Sequence, residues 1–137
     1  MIPAIERAGL CWPLIVVGDG PERGRIEAAA RRGGHDVRFM GWLPRPDVLR
    51  WLRHATVLIF PSQWEEPLSR VLLEAATLGV PTAAMETGGT PEIVVNEETG
   101  LLSATVDDLA ADVARLCRDA GLRERLGAAA RVRVESL

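Results

Sequence analysis

Two short apolar runs place the strongest limit on how this 137-residue chain can fold. Residues 14–17 read Leu-Ile-Val-Val, and residues 56–60 read Thr-Val-Leu-Ile-Phe. Both runs are almost continuously apolar and rich in β-branched residues. Such runs are typical of parallel strands that are covered on both faces. We therefore expect both strands to lie at the centre of a sheet.

Three weaker strand patterns and five helical patterns alternate along the chain. Strands are predicted at residues 37–40, 81–85 and 101–102. Alternating strands and helices are typical of a single α/β domain with a mostly parallel sheet. Thr105 is the predicted N-cap of the fourth helix, and Gly121 is predicted to end it. The helices are predicted at residues 21–32, 46–54, 68–78, 106–120 and 122–134.

Composition and charge exclude several classes of function. Hydrophobic residues make up 47% of the chain and charged residues 26%, which is typical of a globular domain. All 16 basic residues are arginine, so a lysine Schiff base and a Walker A phosphate clamp are excluded. The net charge of -3 gives no field that would attract nucleic acid. We therefore expect no nucleic-acid partner.

The cysteines and the shortness of the apolar runs indicate the cellular location of the protein. Cys11 and Cys117 lack the spacing of a zinc site or a disulfide framework, and we expect buried thiols in a reducing compartment. No apolar run approaches the roughly 20 residues needed to span a bilayer. No HExxH or D-x-D motif predicts a metal site. The sequence therefore predicts a cytoplasmic protein without a metal.

The segment after the strand at residues 56–60 is the strongest candidate site. It enters a helix near Pro67, so free N–H groups at the helix start face the carboxyl edge of the sheet and would attract an anion. Glu66 and Glu74 are eight residues apart, about 12 Å of rise if the whole segment were helical, and lie on nearby faces. Carboxylates accept hydrogen bonds from diols, so the pair could hold both ends of a nucleotide diphosphate sugar. The structural alternative is one Glu favoured by the helix dipole and one surface Glu.

Two glycine-containing turns are further candidates. Gly88 and Gly89 follow the fourth predicted strand and permit a close backbone approach to a ligand at the same edge. Thr90 as the N-cap of a short helix is an equally good structural explanation. Gly18 and Gly20 join the first strand to a helix, and their amides could face a phosphate. A plain turn is the alternative there, because the third glycine of the dinucleotide fingerprint is absent.

Five motifs in a fixed order resemble a known family. They read VVGDGPE, VRFMGWLP, FPSQWEEPLSRVLLEA, LGVPTAAMETGGTPEIV and ETGLL. Together they resemble the C-terminal, donor-binding domain of glycosyltransferase family 4, a group of retaining enzymes with the two-domain GT-B fold. The resemblance covers residues 14–134. It implies a Rossmann-like parallel sheet flanked by helices, in a single partial GT-B domain spanning residues 1–137.

The resemblance also implies roles for particular residues. Glu66 is the catalytic-site acid that contacts the donor-sugar hydroxyls, and Glu74 holds the ribose diol. The backbone between these acids, together with Gly88 and Gly89, approaches the sugar and the diphosphate. The base borders the end of the second strand, and no metal or cofactor beyond the donor is implied. The remaining assignments are Leu68, Ser69, Arg70 and Val71 for sugar and diphosphate, and Met40, Gly41 and Trp42 for the base.

The chain departs from the family pattern in two places. Its helix entrance reads Glu-Pro-Leu-Ser, where Glu-Gly-Phe-Gly or Glu-Pro-Phe-Gly is commoner. The family's opening central strand, with the Gly-Arg and Lys-Gly cations that clamp the diphosphate, is not found. Without that strand, residues 14–17 and 56–60 either leave exposed edges or pair directly. We therefore expect a truncated domain without its acceptor-binding partner domain.

Three functions fit these residues. The leading hypothesis is the donor half of a retaining glycosyltransferase, which binds a nucleotide diphosphate sugar and transfers the sugar to an unknown acceptor. The isolated chain would be inactive until a separate acceptor domain completes it. The second hypothesis is a catalytically silent remnant that serves as a binding or assembly module and self-associates through exposed strand edges. The third is a fragment of a nucleotide-sugar 2-epimerase with the same two-domain fold.

Overall fold

The computed structural model describes residues 1–10, 12–65 and 67–137. The predictions for Cys11 and Glu66 therefore lie outside the described residues. Strands and helices alternate along the chain, as predicted. The strands are β1 (Leu14–Val17), β2 (Val37–Gly41), β3 (Leu58–Phe60), β4 (Thr82–Met85) and β5 (Leu101–Ser103). The helices are α1 (Ile2–Gly9), α2 (Arg23–Gly33), α3 (Arg45–His54), α4 (Arg70–Leu78), α5 (Thr90–Ile93), α6 (Val106–Arg118) and α7 (Ala120–Glu135).

The strands form two parallel sheets. One sheet contains β1 and β2, with Leu14 opposite Val37, and the other has the order β3-β4-β5, with Leu58 opposite Thr82. The parallel α/β architecture is confirmed. Within the described residues β1 and β3 do not pair with each other, so the expectation of direct pairing between them is wrong. The alternative holds: each of these strands keeps one edge without a strand partner.

Burial differs between the strands. All four residues of β4 are buried, whereas β1 is half-buried along its length and Val17 is 39% exposed. The residues of β3 are half-buried as well. The prediction that residues 14–17 and 56–60 form central, covered strands is therefore wrong. Since each pairs on one side only, a full central burial is not reached.

The main core lies between β4 and β5 on one side and α1, α6 and α7 on the other. Thr105 caps α6 as predicted, because its side chain accepts from the Asp108 N–H at 3.1 Å. Two smaller clusters lie under α3 and α4 and between α4 and α5. The main cluster consists of Ile5, Ala83, Met85, Leu101, Leu109, Ala110, Val113, Leu116, Cys117, Leu122 and Leu126.

Two helix predictions need correction. Helix α1 was not predicted, and it packs mainly against α6 and places Ile5 in the main core. Gly121 does not end α6, which stops at Arg118. Asp119 is both the C-cap of α6 and the N-cap of α7. Its side chain caps α7 by accepting from the Leu122 N–H at 2.9 Å. None of the helices in the described ranges is long and apolar enough to cross a membrane.

Candidate functional site

The loops that follow β3 and β4 meet at the carboxyl edge of the three-stranded sheet. The Thr87 hydroxyl donates to the Ser62 carbonyl at 2.9 Å and ties the two loops together. Beyond Ser62 the first loop exposes Trp64, whose accessible fraction is 81%. Because carboxyl ends of parallel strands form the ligand-binding edge in open α/β sheets, this contact defines the candidate site. It also confirms that the two predicted loops are neighbours.

Helix α4 begins directly above this edge. Its first helical residue is Arg70 and Ser69 is the N-cap, so the predicted start at residue 68 is two residues early. The first-turn amides of any helix lack intrahelical partners and carry partial positive charge. No acidic residue lies in this first turn, and Ser69 makes no capping side-chain hydrogen bond among the described residues. This start can therefore accept an anion.

The predicted residues of this entrance differ in exposure. Leu68 is 53% exposed and Arg70 is exposed, so both project away from the packed interior. Ser69 is buried, and Val71 packs against the small core under α3 and α4. These contacts anchor the backbone of the entrance while leaving side chains at its outer surface. Because the helix begins only at Arg70, the rise calculated for a fully helical path from residue 66 to residue 74 does not apply.

Glu74 lies in the second turn of α4 and points toward α3. Its side chain is 11% exposed, and its Oε1 lies 2.7 Å from Nη2 of Arg45, the first residue of α3. Oε1 is fully buried without a hydrogen-bond partner among the described atoms, so the arginine N–H is not aligned and the contact is an ion pair. A surface Glu, the structural alternative for this position, is therefore ruled out by burial.

The predicted base-binding segment leads from β2 into α3. Gly41 is buried and has a φ of +68°, a left-handed conformation that glycine adopts without strain. Trp42 is 76% exposed, and Met40 is 37% exposed. The chain then reaches Arg45 within three residues. The segment assigned to the base is thus connected directly to the partner of Glu74.

The turn at Gly18 and Gly20 is joined to this segment. The Gly18 N–H donates to the Gly41 carbonyl at 2.8 Å, and Gly18 has a φ of +125°. The Gly20 N–H donates to Oδ1 of Asp19 at 2.8 Å, so a local side chain already satisfies that amide. Arg23 donates to Glu27 at 2.7 Å, which raises the pKa of the guanidinium. These contacts support the plain-turn alternative for Gly20 and leave Gly18 as a structural link.

The Gly88-Gly89 turn is closed by its own backbone. The Thr90 N–H donates to the Thr87 carbonyl at 3.0 Å, and Gly88 has a φ of +49°. Gly89, not Thr90, is the N-cap of α5, so the predicted capping role of Thr90 is wrong. The turn places two residues without side chains beside the tied loops, where backbone can approach a ligand closely.

Arg45 is the residue that the sequence interpretation missed. It stands 29 positions before its partner, and no local spacing connects it to Glu74. The only available signal was its place directly after Leu43-Pro44, at the start of a predicted helix that follows a strand end. Such positions lie at the carboxyl edge of a parallel sheet, which is where ligands bind.

Comparison with known proteins identifies the family. The family described as "Glycosyl transferases group 1" matches residues 3–133. The chain belongs to this family, and the resemblance drawn from its motifs is confirmed. Among curated relatives, "D-inositol 3-phosphate glycosyltransferase" of Kribbella flavida is 40% identical over 118 residues, which is 82% of this chain and 28% of that protein. The chain thus spans less than a third of the length of this relative.

Solved structures confirm the fold. Anabaena Alr3699/HepE, determined in complex with UDP-glucose, superposes with a TM-score of 0.86 at 22% identity, covering 98% of this chain and 39% of that one. The C-terminal domain of a glycosyl transferase group 1 family protein (LpcC) from Francisella tularensis gives a TM-score of 0.85 at 22% identity, covering 98% of this chain and 75% of that one. The chain therefore has the fold of a C-terminal GT-B domain.

Proposed function

We propose that this chain is the donor-binding part of a retaining glycosyltransferase, which binds a nucleotide diphosphate sugar at the start of α4. The observation that carries the proposal is the combination of three features in the segments that follow β3 and β4. These are a helix start without an acidic residue, the Gly88-Gly89 turn tied by Thr87 to Ser62, and the buried carboxylate of Glu74. The UDP-glucose complex of Alr3699/HepE, which has the same fold, supports a nucleotide-sugar ligand.

The helix start and Glu74 each match one chemical group of such a ligand. The amides of residues 69–72 and the helix dipole stabilise the diphosphate, which carries most of the charge. Glu74 accepts from the ribose diol, and charge-assisted hydrogen bonds of this kind are stronger than neutral ones. In this proposal Glu66 is assigned to the donor-sugar hydroxyls, Met40, Gly41 and Trp42 are assigned to the base, and no metal takes part.

Transfer with retention would require little chemistry from protein side chains. The leaving diphosphate oxygen can take the acceptor proton, so the protein contributes positioning and electrostatic stabilisation. An acceptor-binding domain must supply the other wall of the cleft, and the acceptor enters the proposal only as a hydroxyl-bearing molecule. The cytoplasmic location expected from the two cysteines belongs to the same proposal.

Isothermal titration calorimetry with UDP, GDP and ADP tests the proposal. At least one of these nucleotides should bind the chain, and Glu74→Ala should weaken that binding by roughly tenfold or more, because a carboxylate hydrogen bond to a diol is lost. Glu124→Ala, which removes an exposed glutamate on α7, is the matched control and should bind as the native chain does. Equal affinity of the native chain and Glu74→Ala would contradict the ribose assignment.

A second function, assembly through strand edges, has one observation in its favour. Within the described residues β1 and β3 each pair on one side only, and an unpaired edge can add a strand from another chain. Light scattering after size-exclusion chromatography separates the two functions. Self-association that increases with protein concentration, together with no binding of the three nucleotides, would favour assembly. The 2-epimerase hypothesis has no supporting observation of its own and would require an epimerised sugar as product.

A further inference from the structure

The ion pair between Arg45 and Glu74 differs from the other ion pairs of the described residues. Most of those join residues three or four positions apart, and their acidic side chains are between 24% and 59% exposed. Arg45 and Glu74 instead join two helices, α3 and α4, and the Glu74 side chain is only 11% exposed. The most buried paired acid is therefore also the acid assigned to the ribose.

This pair is poorly suited to stabilise the fold. Burying a carboxylate costs free energy that a single ion pair seldom repays fully, and Arg45 itself remains 53% exposed to screening water. The contact at 2.7 Å lacks hydrogen-bond alignment, so Oε1 of Glu74 is a buried acceptor held by charge alone. What the pair does provide is a positive charge next to Oε1 of Glu74, on the side of the carboxylate that faces α3.

The position of Arg45 connects this effect to ligand binding. Arg45 opens α3 three residues after Trp42, at the end of the segment assigned to the base. In a bound nucleotide the ribose lies between base and diphosphate. A carboxylate between the start of α3 and the second turn of α4 is therefore placed for the ribose, provided that its orientation is held.

We propose that Arg45 is a positioning residue, which holds Oε1 of Glu74 so that the other carboxylate oxygen accepts from the ribose hydroxyls. Arg45 thereby sets the preference of the site for ribonucleotides over deoxyribonucleotides. The inference rests on the proposed donor-binding function and adds to it a residue and a specificity. A carboxylate that is free to rotate would lose entropy on binding, and its hydrogen bond to the diol would be weaker.

The test compares each ribonucleotide with its 2′-deoxy counterpart on the same protein preparation. UDP, GDP and ADP are titrated first, and the tightest is paired with its 2′-deoxy form. The native chain should prefer the ribonucleotide by about tenfold, the effect of one hydrogen bond to a charged group. Arg45→Met should bring this ratio close to one through weaker ribonucleotide binding, with 2′-deoxynucleotide affinity unchanged. Arg45→Lys, which retains the charge, should restore part of the preference.

Arg50→Met is the matched control. Arg50 also lies on α3, is 74% exposed, and pairs with Asp47 at 3.4 Å instead of with the site. Arg50→Met should keep the native ratio of ribonucleotide affinity to 2′-deoxynucleotide affinity. Because both nucleotides are measured on one preparation, partial unfolding of a variant lowers the number of sites without changing the ratio. Thermal unfolding of each variant gives its folded fraction.

The outcomes separate this inference from the function on which it rests. If Glu74→Ala loses the ribonucleotide preference while Arg45→Met keeps it, the positioning role is overturned and the donor-binding function stands. An equal loss of affinity for both nucleotides in Arg45→Met also overturns the positioning role, because that result indicates a direct contact between Arg45 and the phosphates. If Glu74→Ala keeps the preference, the ribose assignment fails and the inference fails with it, whereas the absence of nucleotide binding by the native chain would contradict the donor-binding function itself.

Discussion

The two parallel sheets of this domain reach different degrees of burial. Every residue of β4 is buried, and β5 contributes the fully buried Leu101. By contrast β1, although its apolar run is the stronger one, is half-buried, and among the described residues none from 14 to 41 belongs to any of the three buried clusters. Apolarity alone therefore does not determine burial.

The difference follows from what covers each sheet. Helices α1, α6 and α7 surround the β4 and β5 core, whereas the β1–β2 sheet contacts mainly α2, which buries Ala30 alone. The candidate site uses both regions. Its diphosphate-binding part begins on the well-packed sheet, and its base-binding part lies at the end of β2. We expect the first part to be preorganised and the second to be more easily opened.

The largest effect is expected where α7 crosses the end of α4. A Cβ on Gly127 would lie 2.2 Å from the Gly79 carbonyl oxygen, a backbone atom that cannot move aside easily. Gly127→Ala should therefore lower the free energy of unfolding by about 3 kcal/mol. Gly24→Ala is the control in α2, where nothing lies within 4 Å of the added Cβ, and it should raise stability by up to about 1 kcal/mol. Urea unfolding measures both, and equal losses would contradict the contrast.

A matched pair of leucines tests the same contrast in the strands. Leu101 in β5 is fully buried, and Leu14 in β1 is half-buried. Leu101→Ala should cost about 3 kcal/mol, because it removes buried surface and leaves a cavity. Leu14→Ala should cost only about 1 kcal/mol. If thermal and urea unfolding gave the two variants the same stability, the β1–β2 sheet would be as well packed as its neighbour.

The smallest effect is expected from surface ion pairs. Arg115 hydrogen-bonds to Glu97 and lowers the pKa of that carboxyl, and both side chains are exposed. Glu97→Gln should cost about 0.5 kcal/mol or less at neutral pH. Since the folded-state pKa is lowered, this contribution is present above the ordinary pKa of Glu and is lost as pH falls through the lowered value. Urea unfolding between pH 3 and pH 7 would contradict this if the difference between native chain and variant grew on acidification.

Next to the β1–β2 sheet, Arg38 lowers in the same way the pKa of Asp36, the residue directly before β2. We expect Asp36→Asn to have a similarly small effect with the same pH dependence. A large effect in only one of the two regions would mean that charge, and not burial, distinguishes the sheets.

Local patterns predicted the elements, and long-range contacts account for most errors. The strand and helix order was predictable because apolar runs and helical spacing are local properties of the chain. The degree of burial of β1 was not predictable from its apolar run, because full burial would need a second neighbouring strand at the edge that remains unpaired. Gly121 failed as a stop signal because Asp119, two residues earlier, caps the following helix.

In the candidate site, too, local features were predictable from the sequence and long-range contacts were not. Glu74 and the Gly88-Gly89 turn were found from motif and strand-end position. The link from Thr87 to Ser62 and the pair of Arg45 with Glu74 join residues 25 and 29 positions apart, so no periodicity could indicate them.

Amide chemical shifts during a nucleotide titration test the central claim most directly. With the tightest of UDP, GDP and ADP, the largest ¹⁵N–¹H shift changes should fall on residues 69–72 and 87–90, where α4 begins and the tied loops meet. The amides of α6 should remain unchanged and serve as an internal reference. Changes confined to the surface around α2, or no change at saturating nucleotide, would contradict a diphosphate site at the start of α4.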